Sequence, residues 1–253
     1  MYPCFRLGIS LLLMTLGGSG MYAVVVALPQ VQAEFGVARA AASLPYTLTM
    51  VGFGLGGILM GRLADRFGVM VPGLISGVAL GIGFVAAGSA GSLWQFSLAQ
   101  GLLIGALGSA ATFAPLVADI SHWFTRRRGI AVAICISGNY VAGAVWPPVM
   151  EHYFAIVGWR QTYVGMGLFC IVAMLPLALL LRGRAPRIEA AAEGGAAASW
   201  SERPLGFTPG QLQGLLCVAG VACCVAMSMP QVHIVAYCGD LGYGPARGAE
   251  MLS

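Results

Sequence analysis

The residues best suited to binding chemistry are a few uncharged polar side chains that interrupt otherwise apolar stretches. They can donate and accept hydrogen bonds without carrying a full charge. They are Tyr22, Tyr46, Gln100, Asn139, Tyr140 and His233. An amide such as that of Asn139 in apolar surroundings must find a partner or line a water-filled space. It therefore indicates either a cavity or a hydrogen bond between helices, and we predict that this set lines a substrate cavity.

The composition places these side chains in a membrane protein. Hydrophobic residues make up 58% of the 253 residues and charged residues 9%, whereas a soluble domain carries about 25% charged residues. The net charge of +4 arises from arginines between the apolar runs, so no nucleic-acid partner is expected. The seven cysteines show no zinc-site spacing, and we expect no metal or other cofactor.

One charged stretch stands between two long uncharged segments. It reads Gly-Arg-Leu-Ala-Asp-Arg-Phe-Gly over residues 61–68. Arginines alone would anchor a turn at the membrane surface, and a plain anchored turn is one interpretation. Asp65 is not needed for anchoring and favours a gating element instead. The predicted gating residues are Gly61, Arg62, Asp65, Arg66 and Gly68, together with the run Arg126, Arg127 and Arg128, which could also anchor lipid headgroups.

The apolar runs predict an all-α polytopic fold, since a bilayer-spanning helix needs about 20 apolar residues. The predicted spans are 7–28, 41–60, 70–87, 93–116, 129–150, 161–181 and 212–237, and an eighth begins near Ala246. Residues 1–181 then form a six-helix unit, 182–210 a hydrophilic linker, and 211–253 the start of a second unit. No predicted span carries a charged residue at depth. Gly17, Gly18 and Gly20 allow close helix packing or a broken helix in the first span.

The arginines are distributed unequally between the two faces. Ten lie on one side: Arg6, Arg62, Arg66, Arg126, Arg127, Arg128, Arg182, Arg184, Arg187 and Arg203. Arg39, Arg160 and Arg247 lie on the other. Because basic residues accumulate in cytoplasmic loops, the N-terminus is predicted to be cytoplasmic. The expected location is a bacterial inner membrane.

Two motifs resemble a known family of transporters. The 61–68 stretch, in a loop between spans two and three, is similar to the signature of the major facilitator superfamily. Residues 123–131 (Trp-Phe-Thr-Arg-Arg-Arg-Gly-Ile-Ala), followed by Ser137-Gly138, resemble the entry to span five in its monocarboxylate and oxalate–formate branches. Gly158-Trp159-Arg160 is also typical of those branches. The resemblance implies that the chain is about the N-terminal half of a carrier, and that the Asp65 loop locks one face against the other half.

We therefore expect a secondary active transporter of a small carboxylate or similar organic anion, with a proton or counter-anion as the coupled ion. An efflux carrier for apolar compounds and a truncated, non-transporting fragment are the alternatives. An intramembrane enzyme would need convergent acid–base groups, but His122 and His152 fall at opposite faces, so we expect no enzyme.

Overall fold

The chain is a bundle of long helices. The computed structural model describes residues 2–124, 126–183, 208–243 and 245–252, and within these ranges it contains helices and turns but no strand. Seven described helices are long and apolar enough to cross a membrane. They are Pro3–Phe35, Leu44–Phe67, Met70–Gly88, Leu93–Trp123, Arg128–Val157, Trp159–Leu180 and Gly210–Ser228, and are called the first to seventh spans below. The predicted all-α polytopic fold is confirmed.

Two spans are not continuous α-helices. The first span consists of helix α1, Tyr2–Gly17, and helix α2, Ser19–Phe35, which are separated at Gly18. The fourth begins as α-helix at Leu93–Leu98, continues as π-helix through Ala99–Ser109 and ends as α-helix at Ala110–Trp123. The remaining helices are Arg39–Ala42, Pro209–Asp240, which contains the seventh span, and Pro245–Leu252.

Most helices extend beyond the predicted apolar runs. The second ends at Phe67 rather than at residue 60, and the fifth continues through Pro147 and Pro148 to Val157. Charged ends can remain helical outside the hydrocarbon layer, and membrane helices tolerate proline where neighbouring groups satisfy the freed backbone atoms. Hydropathy thus located the spans but ended several of them too early.

Glycines in the left-handed φ region terminate two of the spans. Gly68, with φ of 85°, ends the second span, and Gly158, with φ of 82°, separates the fifth from the sixth. Other residues rarely adopt such values of φ, so glycine at these two positions permits an abrupt turn between consecutive spans.

Small residues allow neighbouring spans to approach closely. Gly73, Gly77 and Gly81 face the sixth span, where a Cβ atom would meet Ala178, Met174 and Ile171 respectively. Gly52 and Gly56 face the π-helical part of the fourth span, against the backbone of Gly101 and Ala106. Close backbone approach at small residues is how membrane helices gain packing energy, so these glycines fix two long helix pairs.

The helix Pro209–Asp240, which contains the seventh span, lies at the margin of the bundle. It contacts α2, and the following helix, Pro245–Leu252, contacts the fifth span. Its membrane-spanning part has no buried residue. Most of the predicted linker 182–210 lies outside the described residues, and the helix after it begins at Pro209.

Candidate functional site

Four of the predicted cavity residues lie together, on three different spans. Tyr22 of α2 packs against the fifth span, where its phenol oxygen is 3.5 Å from the carbonyl oxygen of Asn139. Tyr140 follows Asn139 on the fifth span, and Tyr46 of the second span lies near enough to Tyr22 and Cys224 for their ionised forms to influence one another. We call Tyr22, Tyr46, Asn139 and Tyr140 the tyrosine cluster.

The four side chains of the tyrosine cluster differ in exposure, from the interior of the bundle to its outside. Tyr46 is buried, Tyr22 and Asn139 are half-buried, and Tyr140 is 65% exposed. Phenols and an amide can donate and accept hydrogen bonds, and aromatic rings also bury apolar surface. The cluster can therefore contact and orient a partly polar molecule.

The break at Gly18 positions Tyr22 within this cluster. A Cβ atom at Gly18 would lie 2.7 Å from the Cβ of Ala142 and 3.0 Å from Asn139 Oδ1. Gly143 leaves room for the ring of Tyr22, because a Cβ there would lie 2.7 Å from its phenol oxygen. Both alternatives predicted for the glycines of the first span are therefore realised, since they pack closely and the helix is broken.

Side chains of other spans bind the carbonyl groups that the break releases. Trp146 Nε1 donates to the carbonyl of Thr15 at 2.8 Å, and Ser109 Oγ donates to that of Gly17 at 2.8 Å. After the break, the amide of Met21 bonds to Gly18, three residues back. A backbone carbonyl in hydrocarbon needs such a partner, so the fourth and fifth spans stabilise the interruption.

Gln100 and His233 do not join the tyrosine cluster. Gln100 is completely buried, and its Nε2 donates to the phenol oxygen of Tyr163 on the sixth span at 3.1 Å. Rings of Phe84, Phe96 and Trp159 surround that tyrosine. Gln100 thus connects the fourth and sixth spans inside the bundle. His233 lies on the helix Pro209–Asp240, beyond the end of the seventh span, and its side chain is exposed.

The predicted gating stretch is mostly helical rather than a turn. Residues 61–67 form the end of the second span, and the turn is confined to Gly68 and Val69. Asp65 therefore lies in the last turn of a helix. Its side chain is exposed, and within the described residues it makes no ion pair.

The second basic group lies at the start of the fifth span. Arg126, Arg127 and Arg128 are exposed, and Arg128 Nη2 donates to Ser121 Oγ at 3.1 Å. Among the described residues, no ion pair joins these arginines to Asp65. The structure thus leaves both basic groups available to lipid or to another part of a larger protein.

Comparison with known proteins identifies the family. Residues 10–253 match the family model described as Major Facilitator Superfamily. The chain belongs to the Major Facilitator Superfamily. It is 28% identical over 220 residues to monocarboxylate transporter 13 of Rattus norvegicus, which covers 84% of this chain and 47% of the relative.

Two further relatives show how varied the similar superfamily members are. MFS-type transporter pytF of Aspergillus terreus is 35% identical over 121 residues, which covers 47% of this chain and 40% of the relative. Riboflavin transporter RibJ of Trypanosoma brucei is 28% identical over 132 residues, which covers 52% of this chain and 24% of the relative. The chain spans less than half the length of these curated relatives.

A buried ion pair that was not predicted from the sequence joins the first and fourth spans of this superfamily member. Arg6 of α1 contacts Asp119 of the fourth span through two hydrogen bonds, Nε to Oδ2 at 2.6 Å and Nη2 to Oδ1 at 2.9 Å. The two side chains are 2% and 7% exposed. Arg6 also lies 5.0 Å from the ring of Trp123 and donates to the carbonyl of Leu181 at 3.4 Å. Both residues lie near the ends of their helices and outside the predicted spans 7–28 and 93–116, and their burial together was not predicted.

A second ion pair lies at the opposite end of the first span. Glu34 of α2 accepts hydrogen bonds from Trp159 Nε1 at 2.6 Å and from Arg160 Nε at 2.9 Å. Arg160 also donates to the carbonyl of Gly88 at 3.0 Å, which adds the end of the third span. This pair is partly exposed, at 35% and 41%. A sequence signal existed for both pairs, because each joins opposite charges that the predicted topology places at the same face.

Proposed function

We propose that this chain is the N-terminal half of a secondary active transporter that works by alternating access on a small carboxylate or similar organic anion. The observation that carries the proposal is the tyrosine cluster, which combines hydrogen-bonding groups from the first, second and fifth spans. Tyr22 lies near the middle of the first span, and substrate sites of such carriers lie near the bilayer midplane.

The chemistry of the cluster indicates how the charge of the substrate would be handled. A neutral hydrogen bond contributes about 0.5–1.5 kcal/mol and one to a charged group about 1.5–3 kcal/mol. Removing an ion from water costs more than two or three such bonds return. A carboxylate therefore needs a cation from a C-terminal half, or a proton that travels with it. A counter-anion is the other candidate for the coupled ion.

The names of the relatives support a small organic substrate without deciding which one. The rat relative is named a monocarboxylate transporter and the trypanosome relative a riboflavin transporter. These names describe those proteins. They agree with our proposal that this chain contributes to a transport site and is no enzyme.

We further propose that the exposed charges act as gating residues. Gly61, Arg62, Asp65, Arg66 and Gly68, with Arg126, Arg127 and Arg128, would contact the second half when one face closes. An exposed ion pair contributes about 0.2–1 kcal/mol, which suits a reversible gate. A cytoplasmic N-terminus and a bacterial inner membrane remain predictions, and the relatives named above are eukaryotic.

Uptake into proteoliposomes tests the proposal. In a carrier that contains these residues and a C-terminal half, we expect saturable uptake of a radiolabelled monocarboxylate. Asn139→Ala should weaken its affinity about tenfold, equivalent to about 1.4 kcal/mol. Ser137→Ala is the matched control, because the Ser137 hydroxyl donates to Ile134 of its own helix at 2.7 Å. Unchanged affinity in Asn139→Ala would assign that amide to helix packing.

An efflux carrier for apolar compounds is the second candidate. It is favoured by the cluster's three aromatic rings, which offer apolar contact surface. Export of an apolar dye without carboxylate uptake would support this alternative. A non-transporting fragment is the third candidate, and we expect residues 1–253 alone to show no saturable uptake.

A further inference from the structure

We propose that the first span is clamped at both ends and bends at Gly18, and that Arg6, Asp119, Glu34 and Arg160 are the positioning residues that hold Tyr22 against the fifth span. The proposal goes beyond the proposed function, because it concerns which part of one helix moves. It requires that contacts with other spans hold the N-terminal and C-terminal ends of the first span, and that its middle bends more easily than its ends.

The N-terminal end is held by the buried pair. Arg6 contacts Asp119 of the fourth span through two hydrogen bonds and also reaches the carbonyl of Leu181, where the sixth span ends. A planar guanidinium bound to a carboxylate through two donors fixes orientation as well as distance. One side chain therefore secures α1 to the ends of two other spans.

The C-terminal end is held by a second set of contacts. Glu34 binds both Trp159 and Arg160 at the start of the sixth span, and Arg160 in turn binds the carbonyl of Gly88. Arg160 also lies 4.6 Å from the ring of Trp159. Both ends of the first span are thus bound to the sixth span, which itself packs along the third.

The hydrogen-bond ladder of the first span is irregular at its middle. The amide of Gly18 still bonds to Met14, four residues back, but α1 ends at Gly17, α2 begins at Ser19, and the amide of Met21 bonds to Gly18, only three residues back. Thr15 and Gly17 accept from side chains of the fifth and fourth spans. Kinks in helices occur where the i to i−4 ladder is interrupted, so bending concentrates at this point.

Bending at this point would move the tyrosine cluster. Tyr22 lies in the first turn of α2, directly after the break, and its ring contacts the fifth span at Gly143 and Asn139. With the ends fixed, a change of angle at Gly18 displaces Tyr22 while the ends of the span stay in place. The first span can therefore adjust one binding residue without leaving the bundle.

Amide hydrogen exchange of residues 1–253 in lipid nanodiscs tests the compliant middle. An uninterrupted membrane helix exchanges most slowly at its centre. We expect the amides of Ser19 and Gly20 to exchange at least tenfold faster than those of Leu13 and Val25. A single minimum of exchange across residues 13–25 would overturn the hinge.

The clamps are tested by local changes in the same measurement. Arg6→Gln should speed exchange at least tenfold in residues 3–9 and at the end of the sixth span, and leave residues 30–35 within twofold of the parent. The double variant Arg6→Asp with Asp119→Arg should restore protection. Arg62→Gln is the matched control, because that arginine is exposed, and no change is expected.

The contacts of Glu34 at the C-terminal end of the first span predict faster exchange at that end instead. Glu34→Gln should speed exchange in residues 30–35 and at the start of the sixth span, with residues 3–9 unchanged. If Arg6→Gln fails to fold, Arg6→Lys provides the test, since it keeps the charge but loses the paired donors, and a local increase is still expected. Unchanged exchange at both ends, or an equal increase throughout the folded bundle, would overturn the clamps.

Discussion

Gly143 has no side chain, and its small size leaves the space that Tyr22 occupies in the tyrosine cluster. The phenol of Tyr22 occupies the space that a Cβ atom would need, at 2.7 Å. We predict that Gly143→Ala displaces the end of the Tyr22 side chain and weakens substrate affinity about fivefold in a complete carrier, equivalent to about 1 kcal/mol. Thermal unfolding should change little, because the end of a flexible side chain can move.

A matched glycine separates this effect from a change in helix propensity. For Gly165 in the sixth span, no atom of the described residues outside its own helix backbone and chain neighbours lies within 4 Å of where a Cβ would lie. Gly165→Ala should leave uptake unchanged, and it should leave stability equal or slightly higher, since alanine is the better helix former. Equal affinities for both variants would remove Gly143 from the binding site.

Two aspartates of this chain should respond oppositely to loss of charge. Asp65 is exposed, so Asp65→Asn should reduce transport in a complete carrier while changing the free energy of unfolding by under about 0.5 kcal/mol. Asp119→Asn removes the carboxylate charge that Arg6 binds in a buried pair, and breaking such a pair costs about 3–5 kcal/mol. Thermal unfolding in detergent with parallel uptake measurements distinguishes the two. Normal transport by Asp65→Asn would reduce that residue to a membrane anchor.

Individual residues could be predicted from the sequence only in part. Polarity within an apolar run selected Tyr22, Tyr46, Asn139 and Tyr140 as candidates, and the structure places Tyr22 against the backbone of Asn139. The same criterion selected Gln100, but polarity does not reveal which way a side chain faces. The Arg6–Asp119 pair was missed because its members are 113 positions apart, and Arg6 was considered only as one of the arginines that indicate the orientation.

At the scale of elements, the second span offers a direct test of close packing. Gly56 lies against the backbone of Ala106, whereas a Cβ at neighbouring Gly57 would meet no other helix within 4 Å in the part of the chain that the structure describes. Gly56→Ala should force the second and fourth spans apart and cost about 1–3 kcal/mol in unfolding free energy. Gly57→Ala is the control and should be neutral or stabilising. Equal melting temperatures for the two variants would contradict the described packing.

The helices themselves were predictable, because about 20 apolar residues in succession are sufficient evidence for a span. Their irregularities were less so. The glycines at 17, 18 and 20 indicated a weak point, but the π-helix Ala99–Ser109 had no identifiable signal in the sequence. Its wider turn depends on contacts with the second and third spans, and such contacts form only in the folded bundle.

For the whole molecule, the orientation in the membrane remains to be measured. The arginine asymmetry predicts that exposed Cys4 is cytoplasmic. In intact cells, a variant that retains Cys4 alone should resist a membrane-impermeant maleimide. A variant with Val157→Cys as its single cysteine is the control and should react, since Val157 is exposed at the opposite end of the fifth span. Labelling of Cys4 without permeabilisation would reverse the orientation.

The hydrogen bond between Trp146 and Thr15 allows the break in the first span to be followed by tryptophan fluorescence. The indole Nε1 donates to a carbonyl released at the interruption, and indole emission shifts to longer wavelength as its surroundings become more polar. Of the tryptophans that the structure describes, Trp146 is the one that donates to this carbonyl. A protein that retains only this fluorophore would carry a native optical probe of the bend, with no dye attached.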